Sequence, residues 1–181
     1  EVKDKNFIQQ TEDSQIRIAV QYYDSIKDIP MQAKSYYYLG CIWRDKDKHP
    51  EALKEFFKAI TYSKKANDNK LTGYIYNNIA NIYLSQRLHE QADSIYQITE
   101  KLAIQEKDSN LWADVLSQRG MIDINRGKKY YDEAEQKILT AFKISCHIAQ
   151  KSMIAKTAYS LSLLYGRMNM GEKAVKFAKL N

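Results

Sequence analysis

The run Tyr36-Tyr37-Tyr38-Leu39-Gly40-Cys41-Ile42-Trp43 is answered, forty residues later, by Tyr76-Asn77-Asn78-Ile79-Ala80-Asn81-Ile82-Tyr83. In both, a large aromatic residue is followed at fixed spacing by an aliphatic-small pair and a second aromatic. Each run then leads into a second pattern at the same offset: Ala52, Phe56 and Ala59 after the first, Ala92, Tyr96 and Thr99 after the second. Spacings of three and four put these residues on one helical face, so each unit reads as two helices.

Two further copies follow. The third has Leu116 and Gly120, then Ala134, Ile138 and Ala141 after a two-residue insertion near Lys128 to Tyr131. The fourth has Ala158, Leu161, Ser162 and Tyr165, then Ala174 and Ala178. A small residue thus recurs in the first helix at Gly40, Ala80, Gly120 and Ser162. Small residues let the helices of a hairpin approach, and the large ones fill the space between hairpins.

These residues resemble the tetratricopeptide repeat, whose first helix carries a large residue, an aliphatic-small pair and an aromatic, and whose second carries Ala, aromatic, Ala. The resemblance implies an all-α, right-handed superhelical solenoid of antiparallel hairpins. The spacing near forty exceeds the thirty-four usual in the family, which implies longer helices. Lys64 and Ile104 stand where a proline is expected. In the third copy Arg119 and Asp123 replace an aliphatic and an aromatic residue, so that first helix is expected to be rotated or irregular.

Outward from the repeats, residues 11–30 read as half a repeat: an amphipathic helix with Ile16, Ala19, Tyr23 and Ile26 on one face, ended by Pro30. Repeats follow at about 33–66, 70–106, 109–151 and 153–181, giving nine helices in a single array over 9–181. Residues 1–8 are expected to be flexible. Pro50 suits a first helical turn and Gly171 a break between helices. The start at Glu1 rather than Met suggests that a leader, anchor or upstream region is missing.

Composition agrees with helix: 2 Pro and 6 Gly in 181 residues are too few for the turns of sandwiches or barrels. The net charge of +6 comes from lysines scattered over many segments, the pattern of a solvated face, so nucleic-acid binding is a minor alternative. No apolar run has membrane-spanning length. The compartment is open between cytoplasm and periplasm. Cys41 and Cys146 lie in helices without metal-ligand spacing and read as buried thiols.

Catalysis finds little support. His49 and His89 fall at equivalent hinge positions and His147 lies alone. There is no Gly-rich phosphate loop, nucleophile elbow or zinc spacing, so no cofactor, metal or small-molecule substrate is expected.

In the resembled family the first helices line a concave inner face. The residues one past the large packing residue are then candidates for peptide contact: Tyr37, Asn77, Ser117 and Tyr159. Cys41, Asn81, Met121 and Leu163 lie a turn further on, with Arg44, Leu84 and Ile124 near the helix ends. Asn77 and Asn81 stack at i, i+4, and their amides, with Asn78, can grip the backbone of an extended peptide. Tyr37 and Asp114 stand where the family's carboxylate-binding members have cations, so that activity is not implied.

The resemblance therefore implies a protein- or peptide-binding module, the sensor or adaptor segment of a larger bacterial regulator or envelope protein. The alternative is a structural scaffold or oligomerisation element acting through its ends or convex face. Its C-terminal end looks uncapped, leaving Leu161, Leu164 and Val175 partly open to a second copy.

Overall fold

The computed structural model describes residues 2–180, with side chains from Ser14 onward. Among the described residues there are nine α-helices, one short 3-10 turn and no strand. The helices are α1 Val2–Ile26, α2 Ile29–Asp45, α3 His49–Lys65, α4 Asn69–Ser85, α5 His89–Gln105, α6 Ser109–Arg126, α7 Tyr131–His147, α8 Lys151–Arg167 and α9 Gly171–Ala178. The flexible stretch expected at residues 1–8 falls where no side chains are described. The chain divides into two compact units, Glu1–Leu88 and His89–Asn181.

The forty-residue period has a simple local origin. The helices α2, α3, α4 and α5 are each 17 residues long, and three residues join each to the next. The middle residue of each three-residue connection, and the first of the two between α1 and α2, adopts a left-handed conformation: Lys27, Asp47, Asn67, Arg87, Lys107, Ala149 and Asn169 all have φ between 53° and 61°. The residue after it donates a backbone bond to the carbonyl five positions earlier, as Lys48 N does to Trp43 O (2.9 Å) and Asp108 N to Ala103 O (2.8 Å). This is the 6→1 bond of a Schellman motif, and it satisfies a carbonyl that the helix end leaves orphaned.

Glycine is not the hinge the sequence suggested. Gly171 begins α9, and the left-handed residue is Asn169. The insertion near residue 128 is accommodated by Gly127 at φ 108° and a 3-10 turn over Lys128–Tyr130. Pro30 likewise does not terminate α1. It sits in the first turn of α2, where its missing N–H costs no hydrogen bond.

Three first helices share an aspartate N-cap at matching positions. Asp28, Asp68 and Asp108 accept from Met31 N (3.1 Å), Leu71 N (2.9 Å) and Leu111 N (3.0 Å). Each side chain satisfies one amide of the first turn and places negative charge at the positive end of the helix.

In the first unit, the small residues of the pattern lie where helices meet. A Cβ built on Gly40 would stand 2.6 Å from two ring carbons of Phe56. Ala33, Ala52, Phe56, Ala59, Ile75 and Ala80 are fully buried. Tyr36 packs beside them and donates its hydroxyl to Asp24 Oδ2 at 2.6 Å.

The second unit repeats the scheme, with Gly120 against Ile138, and Ile124, Ala134, Ile138, Leu161, Leu164 and Tyr165 in one cluster. Phe177 of α9 stacks on Tyr165, with centroids 5.6 Å apart. Leu161 and Leu164, expected to be partly open, are fully buried. Val175 is exposed.

Nor is α6 irregular. It runs 18 residues, and the departures at Arg119 and Asp123 are answered by ionic partners. Arg119 Nε donates to Asp93 Oδ1 at 2.8 Å, and its Nη1 reaches Glu100. Arg126 bonds Asp123 (3.0 Å), Glu90 (3.0 Å) and Asp93 (3.4 Å), and Lys137 bonds Asp123. Burial works to raise the Asp93 pKa. The Arg119 hydrogen bond, with the charges of Arg119 and Arg126, outweighs it and holds the carboxyl below its usual range.

Two tests follow from these contacts. Gly40→Ala should lower stability by about 1–3 kcal/mol through overpacking against Phe56, although Ala is the better helix former. Gly166→Ala, facing open space, should stabilise by up to about 1 kcal/mol, and denaturant melts would compare the pair. Arg119→Ala should cost about 2–4 kcal/mol at neutral pH, because buried Asp93 loses its shorter ion pair and half-buried Glu100 loses its Arg119 partner. Asp93, with its depressed pKa, adds stability above about pH 4 that is lost as the pH falls through its folded value. The difference between wild type and Arg119→Ala should therefore narrow in melts run below about pH 4.

Candidate functional site

The aromatic-amide stripe of the first unit is carried by α2 and α4. Both are fixed at their N-termini by aspartate caps and packed through Gly40 and Ala80, so Tyr37 and Asn78 are brought together from adjacent first helices. Asn78 is buried. Its Nδ2 donates to Tyr74 O at 2.8 Å and lies 3.5 Å from Tyr37 Oη, while its Oδ1 accepts from Arg44 Nη1. Arg44 is held in turn by Asp45, whose Oδ1 accepts from Nε at 2.8 Å and Nη2 at 2.7 Å. A single amide thus ties α4 to α2 and consumes its hydrogen-bonding capacity within the protein.

Asn77 is also buried, at 8 % exposure, and Asn81, one turn on, is half-buried. Both take part in further interactions within the chain. Tyr37 is half-buried against Phe56, with ring centroids 6.2 Å apart, and next to Tyr38 at 5.3 Å. In the second unit, Ser117 is fully buried on α6, whereas Tyr159 is exposed on α8. Asp114 is paired with Lys156.

An open depression of about 330 Å³ lies along this part of the first unit, lined by Tyr37, Tyr38, Asp68, Lys70, Leu71 and Tyr74. Of these only Tyr37 was singled out from the sequence as a contact residue. Tyr74 lies one turn before Asn77 and Asn78, so extending the stripe back along α4 would have found it. Tyr38 is 57 % exposed and forms the outer wall.

Burial dominates the electrostatics of this surface. Burial, aided by Cys41, pushes the Tyr37 phenol well above its ordinary value against the opposing influence of Asn78 and Arg44. Burial likewise raises the Cys41 thiol, opposed by Arg44 and Tyr37, so both groups keep their protons at neutral pH. Cys41 is only half-buried and Cys146 is exposed, correcting the expectation that both thiols are buried. His49 and His89 stand at the starts of α3 and α5, the hinge positions expected of them. Among the described residues, no group of three or more His, Cys, Asp or Glu could hold a metal ion, and no helix is long and apolar enough to cross a membrane.

The architecture is that of the tetratricopeptide-like helical repeat proteins, an α-solenoid class built from helix hairpins. Among solved structures, BtubC from P. vanneervenii superposes with a TM-score of 0.77 at 15 % identity, covering 95 % of this chain and 71 % of that one. The Rap conjugation gene regulator of plasmid pLS20, solved in complex with the Phr* peptide, gives 0.72 at 16 % identity over 98 % of this chain and 49 % of that one. A kinesin light chain from Podosopora anserina, described as having nearly identical TPR-like repeats, gives 0.72 at 10 % identity over 97 % of this chain and 85 % of its own. No protein-family model and no curated protein matches the sequence.

The division of labour between Asn78 and Tyr38 is open to measurement. Asn78→Ala should destabilise the fold by about 1–3 kcal/mol, because it strips Arg44 of a buried acceptor. Tyr38→Ala should change stability by no more than about 0.5 kcal/mol, as expected for an exposed position. Chemical denaturation of the two variants would check both.

Proposed function

We propose that this chain is a protein- or peptide-binding module, and that the face of α2 and α4 around Tyr37, Tyr38 and Tyr74 is its contact surface. The observation that carries the reading is the aromatic depression of about 330 Å³ beside the α4 amides. Tyrosine walls offer large apolar area with few rotatable bonds, so they bind a side chain at low entropic cost. Asn81, half-buried two turns along α4 from Tyr74, can exchange hydrogen bonds with an extended backbone, and Lys70 and Asp68 give the rim charges of both signs. Tyr159 on α8 is an exposed aromatic at the matching repeat position.

Support also comes from the pLS20 Rap regulator, a protein of similar fold whose structure contains a bound peptide. A role as the sensor or adaptor segment of a larger bacterial regulator or envelope protein fits the same surface. Asn78 is better assigned to holding α2 and α4 in place than to gripping a ligand, and fully buried Ser117 is left out of the contact set.

A peptide-array screen followed by titration tests the reading. The double variant Tyr38→Ala/Asn81→Ala should lose binding of captured peptides by roughly tenfold, the sum of two contacts worth about 0.5–1.5 kcal/mol each, at unchanged helicity. Equal binding by wild type and variant would move the site elsewhere and favour the scaffold reading.

A further inference from the structure

Lysines and arginines of this chain settle over its own aromatic rings. Tyr36, Tyr62, Tyr76, Tyr130 and Tyr165 each have an ammonium or a guanidinium between 4.8 and 5.9 Å from the ring centroid. Tyr37 and Tyr38 are different. Among the described residues, no lysine or arginine stands over either ring. Arg44 acts on Tyr37 from the hydroxyl end, where Asn78 and Asp45 hold it. Tyr38 is more than half exposed, and the two rings are tilted by 55° with centroids 5.3 Å apart, which makes a wedge.

That wedge is one wall of the α2–α4 depression, and Leu71 and Tyr74 line it from α4. Asp68 and Lys70 are its charged residues. Asp68 Oδ1 accepts the Leu71 N–H of the helix cap at 2.9 Å, and among the described residues no lysine or arginine pairs with this carboxylate. Lys70 is exposed and takes part in interactions of its own within the chain.

These features discriminate between occupants. The face of a tyrosine ring is the negative side of its quadrupole. An acidic side chain would meet both the ring faces and the Asp68 carboxylate, which repel it. An aliphatic one would shield Asp68 from water without giving it a partner. A cation is attracted by both. A guanidinium suits a wedge of tilted rings better than an ammonium does, because it is planar, weakly hydrated and stacks on aromatic faces, and its apolar stem can lie along Leu71. Resting on the α2–α4 face as the peptide contact surface, we propose that the depression receives an arginine side chain of the bound peptide, its guanidinium between Tyr37, Tyr38 and Tyr74 and its charge toward Asp68. Lys70 then acts against the ligand and limits its affinity.

The probe is a positional-scanning array of short peptides, each with one fixed residue, followed by titration of the strongest arginine-containing sequence. Arginine should be the enriched residue. Replacing it by citrulline, which has nearly the same shape and no charge, should weaken binding by roughly tenfold, as should Tyr38→Leu in the chain. Tyr38→Phe should recover most of that loss, because the phenyl ring keeps the quadrupole. Asp68→Asn should weaken binding by roughly threefold with unchanged circular dichroism, since Asn caps a helix as well as Asp does. Lys70→Ala should strengthen it. Equal binding of the arginine and citrulline peptides, enrichment of acidic or aliphatic residues in place of arginine, or equal loss with Tyr38→Leu and Tyr38→Phe would each overturn the proposal. Peptides that lose binding to Tyr38→Ala/Asn81→Ala yet show no arginine preference would overturn the arginine site and leave the α2–α4 contact surface standing. Binding indifferent to that double variant would overturn both.

Discussion

A helix of 17 residues followed by three residues of connection returns the chain to an equivalent position after twenty, and after forty it has made one hairpin. What keeps this measure constant is the 6→1 backbone bond across each left-handed turn, as from Lys48 N to Trp43 O and Asp68 N to Ser63 O. Because the bond is made by the backbone, it holds with Lys, Asp, Asn, Arg or Ala at the left-handed position. Every side-chain relationship described above depends on that constancy. A one-residue slip would turn each helix by about 100° and remove Gly40 from Phe56.

With the measure set, two kinds of chemistry close the hairpins. Both units use volume, a glycine beneath a large side chain, and the partners are interchangeable only in pairs: Gly40 with Phe56 in the first, Gly120 with Ile138 in the second. The second unit adds charge, with Arg119 and Arg126 threaded between Asp93, Glu100, Asp123 and Glu90. Ionic partners demand more exact geometry than apolar ones, and leaving one without its counterion is costly. Such a network therefore fixes the pairing of α5 with α6 more strictly than it adds stability.

The candidate site follows the same logic. A polar group buried between helices must find partners within the protein, and Asn78 does so with Arg44, Tyr37 and the Tyr74 carbonyl. That removes it from recognition. Tyr38 and Tyr74, one residue and one turn away from the conspicuous positions, are left facing the depression. On the proposed reading, recognition falls to side chains that the packing does not require.

The helices and their order were legible in the residues alone, though not the ends of α1 and α2, because they follow from local spacing: Tyr36, Gly40, Ala52 and Phe56 recur at an interval that a helical period converts directly into faces. Packing residues such as Ala52, Phe56, Ala92, Ala134 and Ala141 were legible for the same reason. The rest was decided only by the tertiary structure. Periodicity states which face a residue lies on, and it is silent on how deep the neighbouring helix lets that face sink. So Asn77 and Asn78 are buried while Asn81 is half-open, Ser117 is enclosed while Tyr159 is exposed, and Arg119 finds two carboxylates on another helix. Each of those outcomes is set by the partner across the interface, whose distance along the chain no local pattern encodes.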